Sequence, residues 1–242
     1  MSSSFSQRLH RFVAARLSPE GETGLHLTVG VALIVAAAWL FGGIAEDVVN
    51  NEAITLLDVR LAQWLHVHAT APMTQLMLVV SNAHGMIAAP IMAALLAAAF
   101  YVRRQRYWLY TTIAVLPGGL LLNVLLKYAF HRTRPRFDDP LLTLPTYSFP
   151  SGHTANAALL YGLLACWLWL HYRGAAARTA TVAGACLMVA LVGTSRMYLG
   201  VHYLSDVLAA TAEACVWLAV CVTAISTLRR RREGGAANQQ GD

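Results

Sequence analysis

Residues 25–44 read LHLTVGVALIVAAAWLFGGI, twenty residues with no Asp, Glu, Lys or Arg among them. A helix needs about 20 mostly apolar residues to cross the hydrocarbon core of a bilayer. The apolar region of a cleaved signal peptide is shorter, about 7–15 residues, and ends in a small-residue cleavage site. The stretch therefore favours a retained membrane-spanning helix over a cleaved signal peptide.

Five more apolar stretches predict further spans, and the chain as a whole is 57% hydrophobic and only 12% charged. Soluble domains carry about 25% charged residues, so this chain has too few to cover a water-facing surface. The predicted fold class is all-α, a six-transmembrane-helix bundle over residues 25–228. Residues 1–24 form an N-terminal tail, and residues 229–242 form a basic, disordered C-terminal tail. The five further spans are Met86–Val102, Tyr107–Ala129, Thr154–Tyr172, Ala180–Ser195 and Tyr203–Leu228.

The arginines predict the orientation of the bundle. With six spans, three basic runs fall on the same side as the N-terminal tail, and the positive-inside rule makes that side cytoplasmic. We therefore expect a bacterial-type inner-membrane protein with both termini in the cytoplasm. Basic residues in short runs beside apolar segments also argue against a nucleic-acid partner, which needs a basic stripe. The three runs are Arg103–Arg106, Arg173–Arg178 and Arg229–Arg232.

The first outer loop, residues 45–85, begins with acidic residues, as the outer side should. Its segment Leu56–Val80 has apolar residues at mixed helical spacing. This pattern predicts one or two short interfacial helices.

The loop after the third span breaks the charge rule. It carries Lys127, His131, Arg132, Arg134 and Arg136 on the predicted outer side. Lys127 closes the span, and Pro135 favours an extended backbone at Arg134. A snorkelling lysine and a basic rim would explain the cluster alone, but an anionic ligand is the simplest reason for a basic loop on this side.

A second cluster, Pro150-Ser151-Gly152-His153, opens the fourth span. Ser151 is a good N-cap, and the free N–H groups of a helix start attract anions. Gly152 lets a ligand approach the backbone closely. A capped helix with an interfacial histidine is the alternative if this cluster is taken alone.

The third cluster is Ser195-Arg196, followed by His202 and Asp206. Residues four apart share a helix face, so the Asp206 carboxylate can accept the imidazole N–H of His202. That bond fixes the tautomer and leaves the other ring nitrogen free as a nucleophile. A structural His–Asp contact is the alternative, but ionisable groups at membrane helix ends are functional by default.

Taken together, the three clusters bring cations, two histidines and a carboxylate to one side of the membrane. Phosphoryl transfer requires positioning and neutralisation of the three equatorial phosphate oxygens. Lys127, Arg134 and Arg196 supply the cations, and the N–H groups around Ser151 and Gly152 supply further donors.

With these three blocks at full spacing, the sequence resembles the type 2 phosphatidic acid phosphatases. The resemblance implies that His202 attacks phosphorus and forms a phosphohistidine, that Asp206 orients it, and that His153 is the general acid. It also implies a metal-free reaction without cofactors. By the same resemblance, the phosphate would be held by Lys127, Arg134, Ser151, Gly152 and Arg196.

The expected function is hydrolysis of a lipid phosphate monoester or diphosphate in the bilayer, with the site facing the periplasm. Phosphatidate, phosphatidylglycerophosphate and undecaprenyl diphosphate all fit, because all are anionic. Phosphoryl transfer to a non-water acceptor is an alternative, and a transporter is disfavoured because the spans are apolar between their ends. Protein partners and oligomeric state cannot be read from the sequence.

No metal is expected. The four cysteines lie inside apolar stretches without a ligand spacing, and the H-x-H pair His66 and His68 lacks carboxylate or cysteine partners nearby in sequence.

Overall fold

The computed structural model describes residues 7, 14, 16 and 24–239, and for residues 233–239 it describes the backbone only. These residues contain eight helices and no strand, which confirms the all-α fold. The helices are α1 Leu25–Val49, α2 Ala53–Val67, α3 Ala71–Asn82, α4 Ala88–Val102, α5 Arg106–Phe130, α6 Gly152–His171, α7 Ala175–Tyr198 and α8 Leu204–Gln239.

Within the part of the chain that the structure describes, five helices are long and apolar enough to cross a membrane, namely α1, α5, α6, α7 and α8. The sixth predicted span is α4, an apolar helix of 15 residues. At 1.5 Å per residue it is about 22 Å long, less than the roughly 30 Å of a hydrocarbon core. The two short helices predicted for the first loop are α2 and α3. The chain is therefore a multi-pass membrane protein.

Several helices run beyond their predicted ends. Helix α7 extends from Ala175 to Tyr198, since polar residues at the end of a span stay helical. Helix α8 continues through Gln239, so residues 229–239 are helical where a disordered tail was predicted. Arginine has a high helix propensity, and adding residues to an existing helix needs no new nucleus. Most of the predicted N-terminal tail, and residues 240–242, lie outside the described residues.

The core forms where α5, α6 and α8 meet, and α1 lies along α8 on the outside of this group. Close contact between the helices depends on small residues. A Cβ atom added to Gly119 of α5 would lie 2.3 Å from Leu159 Cδ1 of α6. Similarly, a Cβ atom on Gly193 of α7 would lie 2.5 Å from Val207 Cγ1 of α8.

The two ends of the bundle differ in chemistry. At one end, here called the arginine end, Arg178 donates to the Tyr172 carbonyl over 2.9 Å, and Arg229 lies 5.8 Å from the ring centre of Tyr107. At the other, here called the site end, α5 and α7 finish while α6 and α8 begin. His131 ends α5 in the left-handed region at φ 50°. Gly200, at φ 70°, makes the short turn from α7 to α8.

Candidate active site

The loop between α5 and α6 folds back over the end of α5 and is held there by Lys127. The Lys127 Nζ donates to the carbonyls of Pro150 at 2.6 Å, Tyr147 at 3.0 Å and Ser148 at 3.3 Å. An ammonium has three donors, so these bonds engage all of them. Lys127 therefore supplies charge beneath the start of α6 and shapes the loop, while its N–H groups point at the protein.

The start of α6 presents backbone donors. Ser151 occupies the N-cap position, as predicted, but its side chain does not cap the helix. Instead, Ser151 Oγ accepts a bond from Thr154 Oγ1 at 3.0 Å, and the Ser151 N–H donates to the Asp206 carbonyl at 3.1 Å. The N–H groups of the first turn are left without a side-chain cap, and a helix start of this kind favours an anion.

His202 and Asp206 are in contact at the start of α8. His202 precedes the helix rather than lying on it, yet its Nδ1 is 3.3 Å from Asp206 Oδ2. The same oxygen accepts the Tyr203 N–H at 2.9 Å, which caps the helix. Both side chains are buried, with 2% of His202 and none of Asp206 exposed.

The environment of His202 favours a neutral ring. Burial lowers the pKa of His202 to about 3, and this outweighs the opposite effect of the Asp206 carboxylate. Because an ionised carboxylate only accepts, the ring proton belongs on Nδ1 and the lone pair on Nε2. His202 Nε2 thus carries the lone pair that a nucleophile needs at neutral pH.

Arg134 joins the loop to the His202 turn. Its Nη1 donates to the Val201 carbonyl at 2.6 Å and lies 3.1 Å from His202 Nε2. Its Nε and Nη2 bind Thr146 and the Tyr147 carbonyl at 2.7–3.0 Å. A guanidinium has five N–H donors, so Arg134 holds the loop while placing its charge against the reactive nitrogen of His202.

Arg196 is the cation with unused donors. It is 2% exposed, and its Nη1 donates to Ser81 Oγ. Its Nε and Nη2 are also buried, but within the described part of the chain they have no hydrogen-bond partner. Buried guanidinium donors are costly to leave unpaired. Their position beside Arg134 and His153 fits an anionic ligand.

His153, on the first turn of α6, lies in the field of Arg196, Arg134 and Lys127. A Cβ atom added to Gly85 would lie 3.7 Å from His153 Nε2, so the turn before α4 packs against this ring. The neighbouring His84 is held by the Val80 carbonyl at 3.0 Å and the Tyr161 hydroxyl at 2.8 Å.

The structure thus brings the eight predicted site residues together at the site end. They are Lys127, Arg134, Ser151, Gly152, His153, Arg196, His202 and Asp206. Their chemical roles stay predictions. The described residues contain no group of three or more His, Cys, Asp or Glu side chains placed to hold a metal ion. His66 does have a carboxylate partner, Asp139 at 2.8 Å, which lies 73 residues away in the chain.

Sequence reasoning missed three residues around Asp206. Arg132 belongs to the basic loop after the third predicted span, Asp58 lies on α2, and Ser205 directly precedes Asp206. Arg132 Nη1 donates to Asp206 Oδ1 at 2.6 Å, while its Nη2 binds Asp58. The only available signal was Asp58 itself, a charged residue on an otherwise apolar helix face, and its partners are distant in sequence.

Gly152 offers a direct test of the helix start. A Cβ atom there would lie 3.2 Å from Asn123 Oδ1 and 3.8 Å from Lys127 Cε, so Gly152→Ala should displace the side chains beneath the first turn. We expect catalytic efficiency (kcat/KM) with a phosphate-bearing lipid to fall about tenfold, since small displacements in a site have large effects. Gly184→Ala on α7, where a Cβ atom meets nothing within 4 Å, is the control. Equal kcat/KM values for Gly152→Ala and Gly184→Ala would contradict the prediction that Gly152 belongs to the active site.

The fold and site define a class of protein. It is an all-helical, multi-pass membrane protein in which a buried histidine–carboxylate pair lies close to lysine and arginine side chains. The chain belongs to the PAP2 superfamily, whose family model matches residues 106–230. That segment contains all eight predicted site residues.

One known sequence and two solved structures are similar to this chain. Phosphatidylglycerophosphatase B of Bacillus subtilis (strain 168) is 44% identical over 91 residues, which are 36% of this chain and 43% of that protein. The match thus spans less than half the length of this curated relative. A crystal structure described as the first transmembrane PAP2 type phosphatidylglycerolphosphate phosphatase from Bacillus subtilis has a TM-score of 0.69 at 26% identity. It matches 78% of this chain and 93% of its own.

The crystal structure of Aquifex aeolicus LpxE has a TM-score of 0.55 at 20% identity, over 69% of this chain and 94% of its own. At that identity the likeness concerns the fold alone.

Proposed function

We propose that this protein is an integral membrane phosphatase that removes phosphate from a lipid through a phosphohistidine on His202. The observation that carries the proposal is the pairing of His202 Nδ1 with the buried Asp206, which leaves Nε2 beside Arg134. Unpaired donors of Arg196 and the uncapped start of α6 lie at the same end. This arrangement supports the proposal, because phosphoryl transfer needs a nucleophile and hydrogen-bond donors for the phosphate oxygens.

The reaction would proceed in two steps. His202 Nε2 forms a bond to phosphorus as the bond to the lipid oxygen breaks, and His153 gives its proton to that oxygen. His153 then takes a proton from water, which attacks the phosphohistidine and releases inorganic phosphate and the free His202 ring. An anionic phosphate bound beside His153 would favour the protonated imidazole that the first step requires.

A lipid substrate suits the surroundings of the site. A cavity of about 320 Å³ opens between α4, α5 and α6, and its lining is mostly apolar, with His84, Thr112 and Asn156 as the polar members. His84 precedes Gly85, which packs against His153. An apolar cavity within reach of the phosphate site fits a hydrocarbon chain. We propose phosphatidylglycerophosphate as the first substrate to test, because the similar Bacillus subtilis sequence and the similar Bacillus subtilis structure both carry that activity in their names.

The site end would face the periplasm and the arginine end the cytoplasm of a bacterial cell. The support is the positive-inside rule applied to the three arginine runs. A cysteine introduced at each end and probed with a membrane-impermeant thiol reagent tests this orientation.

The proposal is tested with the protein purified in detergent. Free phosphate is measured with phosphatidylglycerophosphate, phosphatidate and undecaprenyl diphosphate as substrates, and transferred phosphate is measured with an added sugar or lipid acceptor. We expect release of free phosphate that persists in excess EDTA and is inhibited by orthovanadate, which mimics five-coordinate phosphorus. Activity that EDTA removes and a divalent ion restores would contradict the metal-free mechanism.

Arg196 should contribute strongly to phosphate binding. Each hydrogen bond from a charged group is worth roughly 1.5–3 kcal/mol, so losing one of the two unpaired donors of Arg196, while the glutamine amide replaces the other, should weaken binding by about tenfold to a hundredfold. We therefore expect Arg196→Gln to raise the inhibition constant of inorganic phosphate by that factor.

The matched control for Arg196→Gln is Arg178→Gln. Arg178 lies on the same helix at the arginine end, where it binds main-chain carbonyls of residues 169 and 172. Inhibition constants that agree between Arg196→Gln and the wild type would remove Arg196 from the site.

A further inference from the structure

Asp206 depends on a second buried carboxylate that lies far from it in sequence. Asp58, on α2, is 1% exposed and accepts the Ser205 N–H at 2.9 Å as well as the Ser205 hydroxyl. Ser205 directly precedes Asp206 in the first turn of α8. Helix α2 is thus joined to the chain at the point where the His202–Asp206 pair is formed.

Arg132 bridges the two carboxylates. Its Nη2 donates to Asp58 Oδ2 at 2.8 Å, and its Nη1 donates to Asp206 Oδ1 at 2.6 Å and to Ser205 Oγ at 2.7 Å. The guanidinium also lies 4.5 Å from the ring centre of Tyr203, which restricts its motion from another side. A rigid planar fork that binds two partners fixes both, which a lysine cannot do.

These contacts divide the oxygens of Asp206 between two tasks. Oδ1 is bound by Arg132, while Oδ2 faces His202 Nδ1 and accepts the Tyr203 N–H. At 3.3 Å the bond to His202 is the longest of the three, so His202 alone does not set the rotation of the carboxylate. The shorter contact with Arg132, together with the Tyr203 N–H, sets it.

The charges of the cluster matter as well. Asp58 and Asp206 carry two negative charges against the single positive charge of Arg132, so the cluster has a net charge of −1 beside His202. Positive charge that develops on the His202 ring during attack on phosphorus therefore faces a compensating charge. Arg134 supplies a positive charge on the Nε2 side of the ring, where the phosphate would bind.

We infer that Arg132, held by Asp58 of α2, is a positioning residue that orients Asp206 and through it His202. Helix α2 then belongs to the catalytic apparatus, although none of its residues contacts the reacting atoms. This inference rests on the proposed phosphatase function, because it concerns the rate of that reaction.

The experiment compares Asp58→Asn, Arg132→Gln and Arg132→Lys with the wild type, by phosphate release from the lipid that the wild type hydrolyses best. Misplacing a catalytic group by about 1 Å can cost about 100-fold in rate. We expect kcat to fall about 100-fold in Arg132→Gln and about tenfold in Asp58→Asn, with KM within twofold. Arg132→Lys should recover part of the loss, because it keeps the charge but binds one carboxylate at a time.

Two further readouts separate positioning from a structural role. The acid limb of the kcat profile should move to higher pH in Arg132→Gln, because Asp206 loses its neighbouring cation, and should stay in place in Arg132→Lys. The double variant Asp58→Asn/Arg132→Gln should be no slower than Arg132→Gln alone, because both residues act through one contact.

The matched control is Asp139→Asn. Asp139 also contacts α2, through His66, but its side chain is 90% exposed. Should Arg132→Gln fail to fold, Asp58→Asn and Arg132→Lys still decide the question. An unchanged kcat in Asp58→Asn, equal to that of Asp139→Asn, would overturn the inference, as would a loss of thermal stability without a change in kcat. A wild-type protein that releases no phosphate from any lipid would refute the proposed function itself.

Discussion

His202→Ala should lose phosphate release almost completely, by a factor on the order of 10⁶, which is the scale of losing a covalent nucleophile. The ring contacts Asp206 on one side and Arg134 on the other, so nothing else at this position can bring an equivalent lone pair to phosphorus. The measurement is free phosphate released in detergent micelles under single-turnover conditions.

The variant should still fold, because the bonds of Asp206 to Arg132 and to the Tyr203 N–H remain. His68→Ala is the control: His68 is exposed, ends α2 and bonds to the Trp64 carbonyl. Turnover in purified His202→Ala above about one thousandth of the wild-type rate would show that another residue attacks phosphorus.

The sequence distinguishes His202 from the other histidines, because a carboxylate, Asp206, follows His202 four residues later. The prediction assumed a helix through both residues. His202 instead lies in the turn before α8, and the contact survives because Asp206 folds back to cap the helix start. A spacing of four therefore predicted the right pair through a slightly different geometry.

Local sequence also predicted where the helices lie, since apolar length is set by the thickness of the bilayer. Local sequence did not predict the residues at which the helices end. Helix α1 continues through Glu46 and Asp47 to Val49, and α8 continues through the arginines. Helical hydrogen bonds are satisfied equally well outside the apolar region, so hydrophobicity marks the span and leaves the helix end unspecified.

The sequence did not predict the hydrogen-bond partners of the three cationic side chains, and the reason is different. Lys127 and Arg134 were predicted as phosphate ligands, yet their donors are engaged by main-chain carbonyls and neighbouring side chains. Arg196 alone among the three keeps unpaired buried donors. Residue type and spacing reveal charge, whereas the distribution of hydrogen bonds depends on how the loop 131–151 folds.

Asp206→Asn should reduce kcat by about 10⁴-fold, roughly a hundredfold less than the loss expected for removal of the nucleophile. An asparagine can donate its amide N–H to His202 Nδ1, which moves the ring proton to Nε2 and removes the lone pair that attacks phosphorus. Replacing the orienting carboxylate of a catalytic triad by its amide has an effect of this size through the tautomer. The side chain keeps its shape, but an amide N–H₂ group replaces the oxygen that accepts the Tyr203 N–H, so the melting temperature is measured beside kcat.

Glu213→Gln is the matched control for Asp206→Asn. Glu213 is a second buried carboxyl group on α8, but it accepts a bond from Asn123 Nδ2 at 2.9 Å, which the amide oxygen of glutamine can accept as well. We expect its kcat within about threefold of the wild type. An Asp206→Asn variant that keeps more than a tenth of the wild-type kcat would mean that His202 is oriented by other groups.

The double variant His202→Ala/Asp206→Asn separates orientation from a general electrostatic role of Asp206. Residues that act as a unit have strongly non-additive effects. If Asp206 acts through His202, its replacement costs nothing further once the imidazole is gone, and the double variant matches His202→Ala. The main-chain carbonyl of Asp206 accepts the Ser151 N–H at the start of α6, and Asp206→Asn keeps that contact. We therefore expect the double variant to bind orthovanadate as tightly as His202→Ala does. A weaker affinity would then assign the side chain a part in phosphate binding.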